Sequence, residues 1–308
     1  MGHFFYILMP NKPSRSIDEQ IALLKERGGM LFRDEAAAKP LLLNISYYRL
    51  KGYWWDMQSD RVVHKFYPES YFEDVIDRYY FDRQLRVILF DAIELIEIGL
   101  RTRMIYFLAQ TYGGLWYLNN AISENAYLHA QHFERLKDEF DRSKEIYAKD
   151  FKDKHPDCNP DVWIILETAS FGTLSKIYKN LKHQLPEKSQ IANSLGLNLS
   201  TDLSGWLESL ALIRNVIAHH SRIWSRNFVK FPNQIANPRG LWLQFPILPV
   251  QRKRAFLVMS SMLYLCNMID PNNNIKKRIL DLFNDNPQIP IYKLGFLNDW
   301  QNEPLWQQ

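Results

Sequence analysis

Apolar residues recur along this chain at intervals of three and four, the period of helices laid against a core. The strongest run covers 81–112, where Ile88, Ala92, Leu95, Gly99 and Tyr106 form one stripe, with Leu85 and Ile96 beside it. Asp91, Glu94 and Arg101 lie on the other side, Glu97 precedes Arg101 at ion-pair spacing, and Gly113-Gly114 ends the run. Nearer the start, Ser16-Ile17-Asp18-Glu19 reads as a capping box, followed by Ile21 and Leu24 and stopped by Gly28-Gly29. Asp34 starts a second helix, which Pro40 is expected to break or kink. The aromatic stretch 44–57 reads as a short helix followed by an extended turn at Gly52. Ser123 is expected to cap a long helix reaching about residue 151, with Phe133, Leu136, Phe140 and Tyr147 as its apolar stripe. Two helical pieces broken near Gly172 fill 161–185, and Ser200 or Asp202 caps a helix that runs through Ile223. The segment 228–250 holds Pro232, Pro238, Pro246 and Pro249 and reads as irregular. Helices over 252–268 and 275–283 close the set, and an aromatic tail from Pro287 is expected to pack over the body.

No βαβ alternation, solenoid repeat or low-complexity tract is present. The predicted class is therefore all-α: a helical and aromatic extension over 1–70, a helical bundle domain over 71–285, and a C-terminal tail over 286–308. Composition fits that picture. Of 308 residues, 46% are hydrophobic and 14% aromatic, enough to fill a large core. Twelve glycines are few, which argues against a turn-rich barrel and against glycine-cradled phosphate sites. No P-loop, nucleophile elbow or dinucleotide fingerprint appears. Cys158 and Cys266 stand far apart with no CxxC pair, so a thiolate zinc site is excluded. The apolar run from Phe4 to Met9 is too short to span a bilayer and lacks the basic flank of a signal peptide. Gly2 is followed by Tyr6 where a myristoylation motif wants Ser or Thr, so a cytoplasmic protein without membrane association is expected. The net charge of +4 is compatible with a nucleic-acid partner but does not demand one.

Candidate chemistry concentrates in 206–224, WLESLALIRNVIAHHSRIW. At about 100° per residue, Trp206, Leu210, Ile213, Ile217, His220 and Trp224 form one stripe. His220 and Trp224 are accordingly expected to be structural, facing the core near the site. Glu208, Asn215, His219, Arg222 and Arg226 form a polar stripe, with Arg214 between the two. An Arg can grip two phosphate oxygens with its planar fork. A His that titrates near neutrality can take a proton from one hydroxyl or give one to another. Asn215, four residues before His219, is placed to fix its tautomer. Arg214, Asn215 and His219 are thus the catalytic candidates, a kit for cleaving RNA through its own 2′-hydroxyl with no cofactor and no metal.

The string Arg214-Asn215-Val216-Ile217-Ala218-His219 resembles the Arg, four residues, His motif of the HEPN superfamily. The longer RNVIAHHSRIWSR resembles the Abi-like abortive-infection proteins, the AbiD and AbiF group. YYRLKGYWW from Tyr47, FDRQLRVILFDAIELIEIGLRTR from Phe81, SFGTLSKIY from Ser170 and GFLNDWQNEPLW from Gly295 agree in order along the chain. The departure is Leu297, where the family pattern has a Pro after the aromatic; it lies in the tail, away from the motif. The resemblance implies a HEPN-type helical bundle, a part in bacterial defence against phage as a toxin, and ribonuclease activity. It also implies a homodimer that sets two motifs face to face, and for some members a structured non-coding RNA as partner.

Other constellations compete. His129 and His132 can chelate a metal from one helix face, but no third ligand is placed, and a solvated face explains them. Asp74, Asp77, Asp91, Glu94 and Glu97 evoke a two-metal site, yet interleaved Arg78, Arg83 and Arg86 read as ion-paired surface. Arg222, Arg226 and Lys230, together with Arg252, Lys253 and Arg254, are candidate RNA-binding residues. Lys276-Lys277-Arg278 is a third basic cluster. Tyr47, Tyr48, Tyr53, Trp54 and Trp55 either stack unpaired bases or anchor the N-terminal segment. Two functions of different class remain: a metal-independent RNA endonuclease, or a non-catalytic module that binds a structured RNA or a partner protein. Cleavage that survives a chelator and disappears in His219→Ala separates them.

Overall fold

The computed structural model describes residues 13–297 and 299–307. The Phe4 to Met9 run, Gly2 and Tyr6 lie outside the described residues. The fold is all-α: thirteen α-helices and a single two-stranded sheet among the described residues. The chain divides into two compact units, Met1–Tyr80 and Phe81–Gln308, and the division falls inside one long helix, Phe72–Tyr112.

In the first unit the Ser16 hydroxyl accepts the Glu19 N–H at 3.2 Å, and the Glu19 carboxylate accepts the Ser16 N–H at 2.6 Å. This capping box opens helix Ile17–Ala22, which runs on as wider turns over Leu23–Arg27 until Gly29, at φ +72, turns the chain. Asp34 caps helix Glu35–Ile45, which continues through Pro40 instead of breaking there. Helix Tyr47–Trp54 likewise runs through Gly52, where an extended turn was expected. One tight turn, Trp55–Met57, then leads into an antiparallel hairpin of Gln58–Asp60 with Lys65–Phe66. Trp54 and Tyr53 are buried, the first edge-on to Phe66 and the second to Tyr79. Arg78 donates to the Tyr53 carbonyl at 3.0 Å and pairs with Asp56 at 3.1 Å, tying the aromatic helix down.

The second unit is built around helix Ala255–Ile269, in which every residue from Ala255 to Cys266 is buried. A helix apolar on all sides belongs at a centre. The long helix reaches it closely at Gly99, where a Cβ would stand 2.7 Å from the Ile269 side chain. Leu85, Ile88, Ala92, Ile96, Leu100 and Met104 form its buried stripe, while Tyr106 is exposed. The predicted long helix after Ser123 is two helices, Ala126–Arg142 and Ile146–Lys154, the first capped by Asn125. The Lys152 ammonium donates to the carbonyls of Asp141 and Ser143 at 3.0 and 3.1 Å, taking up carbonyls that a continuing helix would use. The break expected at Gly172 falls at Ala169-Ser170, because Ser170 caps helix Phe171–Asn180. Glu139 holds that cap through the Ser170 N–H and hydroxyl at 3.0 and 2.9 Å. Helices Pro186–Ser194 and Ile275–Asp285 and an irregular segment between Ala218 and Pro249 complete the unit. The C-terminal aromatics close on the body: Trp306 donates to the Ser260 hydroxyl at 2.9 Å, and Phe256 and Phe283 each meet Phe296 edge-on at 5.0 Å.

Candidate functional site

The helix that carries the motif spans Ser200–Ala218, with Leu199 at its N-cap, so neither Ser200 nor Asp202 is the cap. Trp206, Leu210, Ile213 and Ile217 are buried along one face, as the periodicity predicts. The helix does not run through Ile223. It ends at Ala218, and two bonds close it: the His220 N–H to the Ile217 carbonyl at 2.8 Å, and the Ser221 N–H to the Val216 carbonyl at 2.8 Å. This pair is the Schellman arrangement, whose residue past the cap is usually glycine because it must be left-handed. Here it is His220, at φ +54. The expectation that His220 faces the core is therefore corrected: the chain leaves the helix before that position, and His220 is exposed. Trp224 is buried as expected, but from the irregular segment and with its ring edge-on to Phe81.

What draws the chain out of the helix is Asp82. Its carboxylate is fully buried and accepts the Trp224 N–H at 2.7 Å and the Ile223 N–H at 3.1 Å, while pairing with Arg86 one turn along its own helix. A buried carboxylate is tolerated only with such partners. Sequence reasoning did not single out Asp82, although it lies one turn before Leu85 on an apolar stripe, which is a readable signal; Arg86, expected on an ion-paired surface, is ion-paired but buried.

The three catalytic candidates sit together at this helix end. Arg214 is half-buried, Asn215 is exposed, and His219 is exposed at the C-cap. The link between Asn215 and His219 is the helical backbone bond, His219 N–H to Asn215 carbonyl at 3.0 Å. Arg214 lies within electrostatic reach of Glu97 on the long helix. Burial pushes the Glu97 carboxyl above its ordinary range, against the pull of Arg101 and Arg214. Arg101 is buried and spans the region, donating to Glu97 and to the Ala169 carbonyl, each at 3.0 Å. Arg214 thus stands on one side against a desolvated carboxylate, with Asn215 and His219 facing water.

Of the six RNA-binding candidates, the structure brings five into one neighbourhood. The Phe228 N–H donates to the Lys253 carbonyl at 2.8 Å and Arg254 donates to the Ser225 hydroxyl at 2.9 Å, joining 225–228 to 253–254. That places Arg252, Lys253 and Arg254 alongside the segment of Arg222 and Arg226. Both of the latter also brace that segment, Arg222 on the Trp224 carbonyl at 2.7 Å and Arg226 on the Arg222 carbonyl at 3.3 Å. Lys230 stands apart, paired with Glu208, which Lys179 also holds at 3.0 Å. Among the described residues no three His, Cys, Asp or Glu side chains group as metal ligands. His129 holds the Tyr117 carbonyl at 3.0 Å, and burial lowers the pKa of His132. No helix of the described residues is long and apolar enough to cross a membrane.

A family model described as Abi-like protein matches residues 40–225, more than half of the chain. The match takes in the aromatic helix of the first unit, Asp82, the motif and the loop that Asp82 holds. Comparisons with curated proteins and with solved structures found no match.

Proposed function

The chain belongs to the Abi-like protein family, and on that premise we propose that it is an RNA endonuclease that acts without a metal ion in abortive infection, a bacterial defence against phage. The observation that carries the reading is the clustering of Arg214, Asn215 and His219 at one helix end, on a backbone locked by Asp82. Catalytic groups carried on a fixed backbone are what positioned acid–base chemistry requires.

In the proposed reaction the 2′-hydroxyl attacks the adjacent phosphorus and the 5′-oxygen leaves. The products end in a 2′,3′-cyclic phosphate and a 5′-hydroxyl. His219 moves the proton, as base toward the 2′-hydroxyl or acid toward the leaving oxygen. Arg214 stabilises the charge that builds on the phosphorane oxygens, and Asn215 orients His219. A base and an acid are both needed, and the Arg, four residues, His motif itself holds one His, with His220 on the left-handed turn beyond it. A homodimer that sets two copies of His219 across a two-fold axis supplies both. Arg222, Arg226, Arg252, Lys253 and Arg254 form the track for flanking phosphates of the RNA.

The test is cleavage of RNA in the presence of EDTA. Wild type is expected to cut. Arg214→Lys is expected to lose on the order of 10²-fold, the scale of one transition-state donor, and His219→Ala to lose all activity with an unchanged melting temperature. Mixed Arg214→Ala and His219→Ala chains should regain part of the rate if two subunits share a site. Undiminished RNA binding with no cleavage by the wild type would assign the same residues to a non-catalytic RNA-binding module.

A further inference from the structure

The aromatic helix of the first unit sorts its rings in a way that spacing alone left open. Tyr53 and Trp54 are buried, whereas Tyr48 is 77% exposed and Trp55 is 43% exposed. The two exposed rings are seven residues apart, Tyr48 in the first turn of the helix and Trp55 at the start of the tight turn that follows it. Lys51 lies between them in the chain, its ammonium 5.8 Å from the Trp55 ring centre, and Gly52 beside it adds no side chain. From the hairpin, the Arg61 guanidinium stands 5.4 Å from the same ring. Cations over an indole face are held by its quadrupole, which keeps them beside the ring without neutralising them.

The nearby acids do not cancel these charges. Asp56 is engaged by Arg78 at 3.1 Å, and the Asp60 carboxylate is turned into its own turn, accepting the Val62 and Val63 N–H groups at 2.8 and 3.1 Å. What remains is an alternation of ring, cation and ring, with a second cation across the last ring. A core would bury these rings. A face for an apolar protein partner would not frame them with charges that must be desolvated. Alternation of flat π surface and positive charge matches one ligand chemistry, the alternating bases and phosphates of an unpaired strand.

We propose that Tyr48, Lys51, Trp55 and Arg61 form a binding site for single-stranded nucleic acid on the first unit. Bases stack on Tyr48 and Trp55, and the intervening phosphates meet Lys51 and Arg61. The site is built from residues of the first unit alone and does not depend on any cleavage at Arg214 and His219.

Fluorescence anisotropy of the full chain tests this, with labelled oligouridylate and oligothymidylate as probes and His219→Ala as the background so that no probe is consumed. Tyr48→Ala with Trp55→Ala should weaken binding of both probes by on the order of tenfold or more. Trp55→Phe, which keeps a ring, should recover most of that loss. Lys51→Gln should lower the salt dependence by about one ion. Because both rings are exposed, the melting temperature of each variant should match the parent, and a thermal melt checks it. Unchanged affinity in the doubly substituted chain overturns the proposal. So does an equal loss for duplex RNA, which offers no free bases. A loss seen only with vesicles of anionic phospholipid would also overturn it, assigning the face to a membrane surface.

Discussion

Two helix ends in the second unit solve the same problem in opposite ways. Helix Phe171–Asn180 ends in the interior, where Lys188, fully buried, donates to the carbonyls of Lys179 and Leu181 at 3.1 and 2.6 Å. The motif helix ends at the surface, where a Schellman turn closes it with backbone groups alone and Asp82 captures the next two free N–H groups. In the first case a side chain is consumed in closing the helix. In the second, the side chains of Asn215 and His219 are left facing solvent. Closure by backbone groups thus leaves the side chains of a helix end available for chemistry, whereas closure by Lys188 uses one up.

The sharpest way to break this contrast is Asp82→Ala. It removes the buried carboxylate that pairs with Arg86 and accepts two buried N–H groups, and breaking a buried pair of this kind costs about 3–5 kcal/mol. Chemical denaturation should show that loss, and any RNA cleavage should fall with it. An Asp82→Ala chain of unchanged stability would mean that the loop after His219 is held by something else.

Lys188 gives the next effect. Burial pushes its pKa down to about 8 from the ordinary lysine value of 10.5. Between those values the unfolded chain binds more protons than the folded one, so stability should rise as pH increases from about 8 to about 10.5, by at most about 3 kcal/mol. Below pH 8 lysine is charged in both states and the full burden of burying it is felt. Lys188→Met should remove that rise, which denaturation midpoints of both chains across the window will read.

The smallest effect is at His220, where a left-handed backbone carries a side chain. His220→Gly relieves that backbone but gives up the interaction of the His220 side chain, so stability should change by no more than about 1 kcal/mol, less than a core histidine would cost. A larger loss of stability there would show that the imidazole itself holds the turn.

These features also mark where the sequence was readable. The capping box at Ser16, the apolar faces of 81–112 and of the motif helix, and the irregular proline segment are local patterns, and the structure follows them. The errors share a cause. IAHHSRIW continues a helical pattern with no Gly or Pro to stop it, and the stop comes from Asp82, 141 residues earlier than Ile223. The cap at Ser170 is braced by Glu139, 31 residues earlier, and the break at Ser143 by Lys152, nine residues later. The Gln58–Phe66 hairpin is too short for a period of two to emerge. At the candidate site, the placing of Arg214, Asn215 and His219 on one helix was legible, while the burial of His220 was misread because phase was extended past a helix end that only a distant partner sets.

The bond from Asp82 to Trp224 has a consequence in time. A chain emerging from the ribosome presents Asp82 early, but the N–H groups that it holds come 141 and 142 residues later. Closing so long a loop is slow and is rewarded only when both ends are present. A nascent chain that has not yet reached Trp224 lacks the bond that shapes the loop after His219, so that loop forms only once synthesis has passed this point.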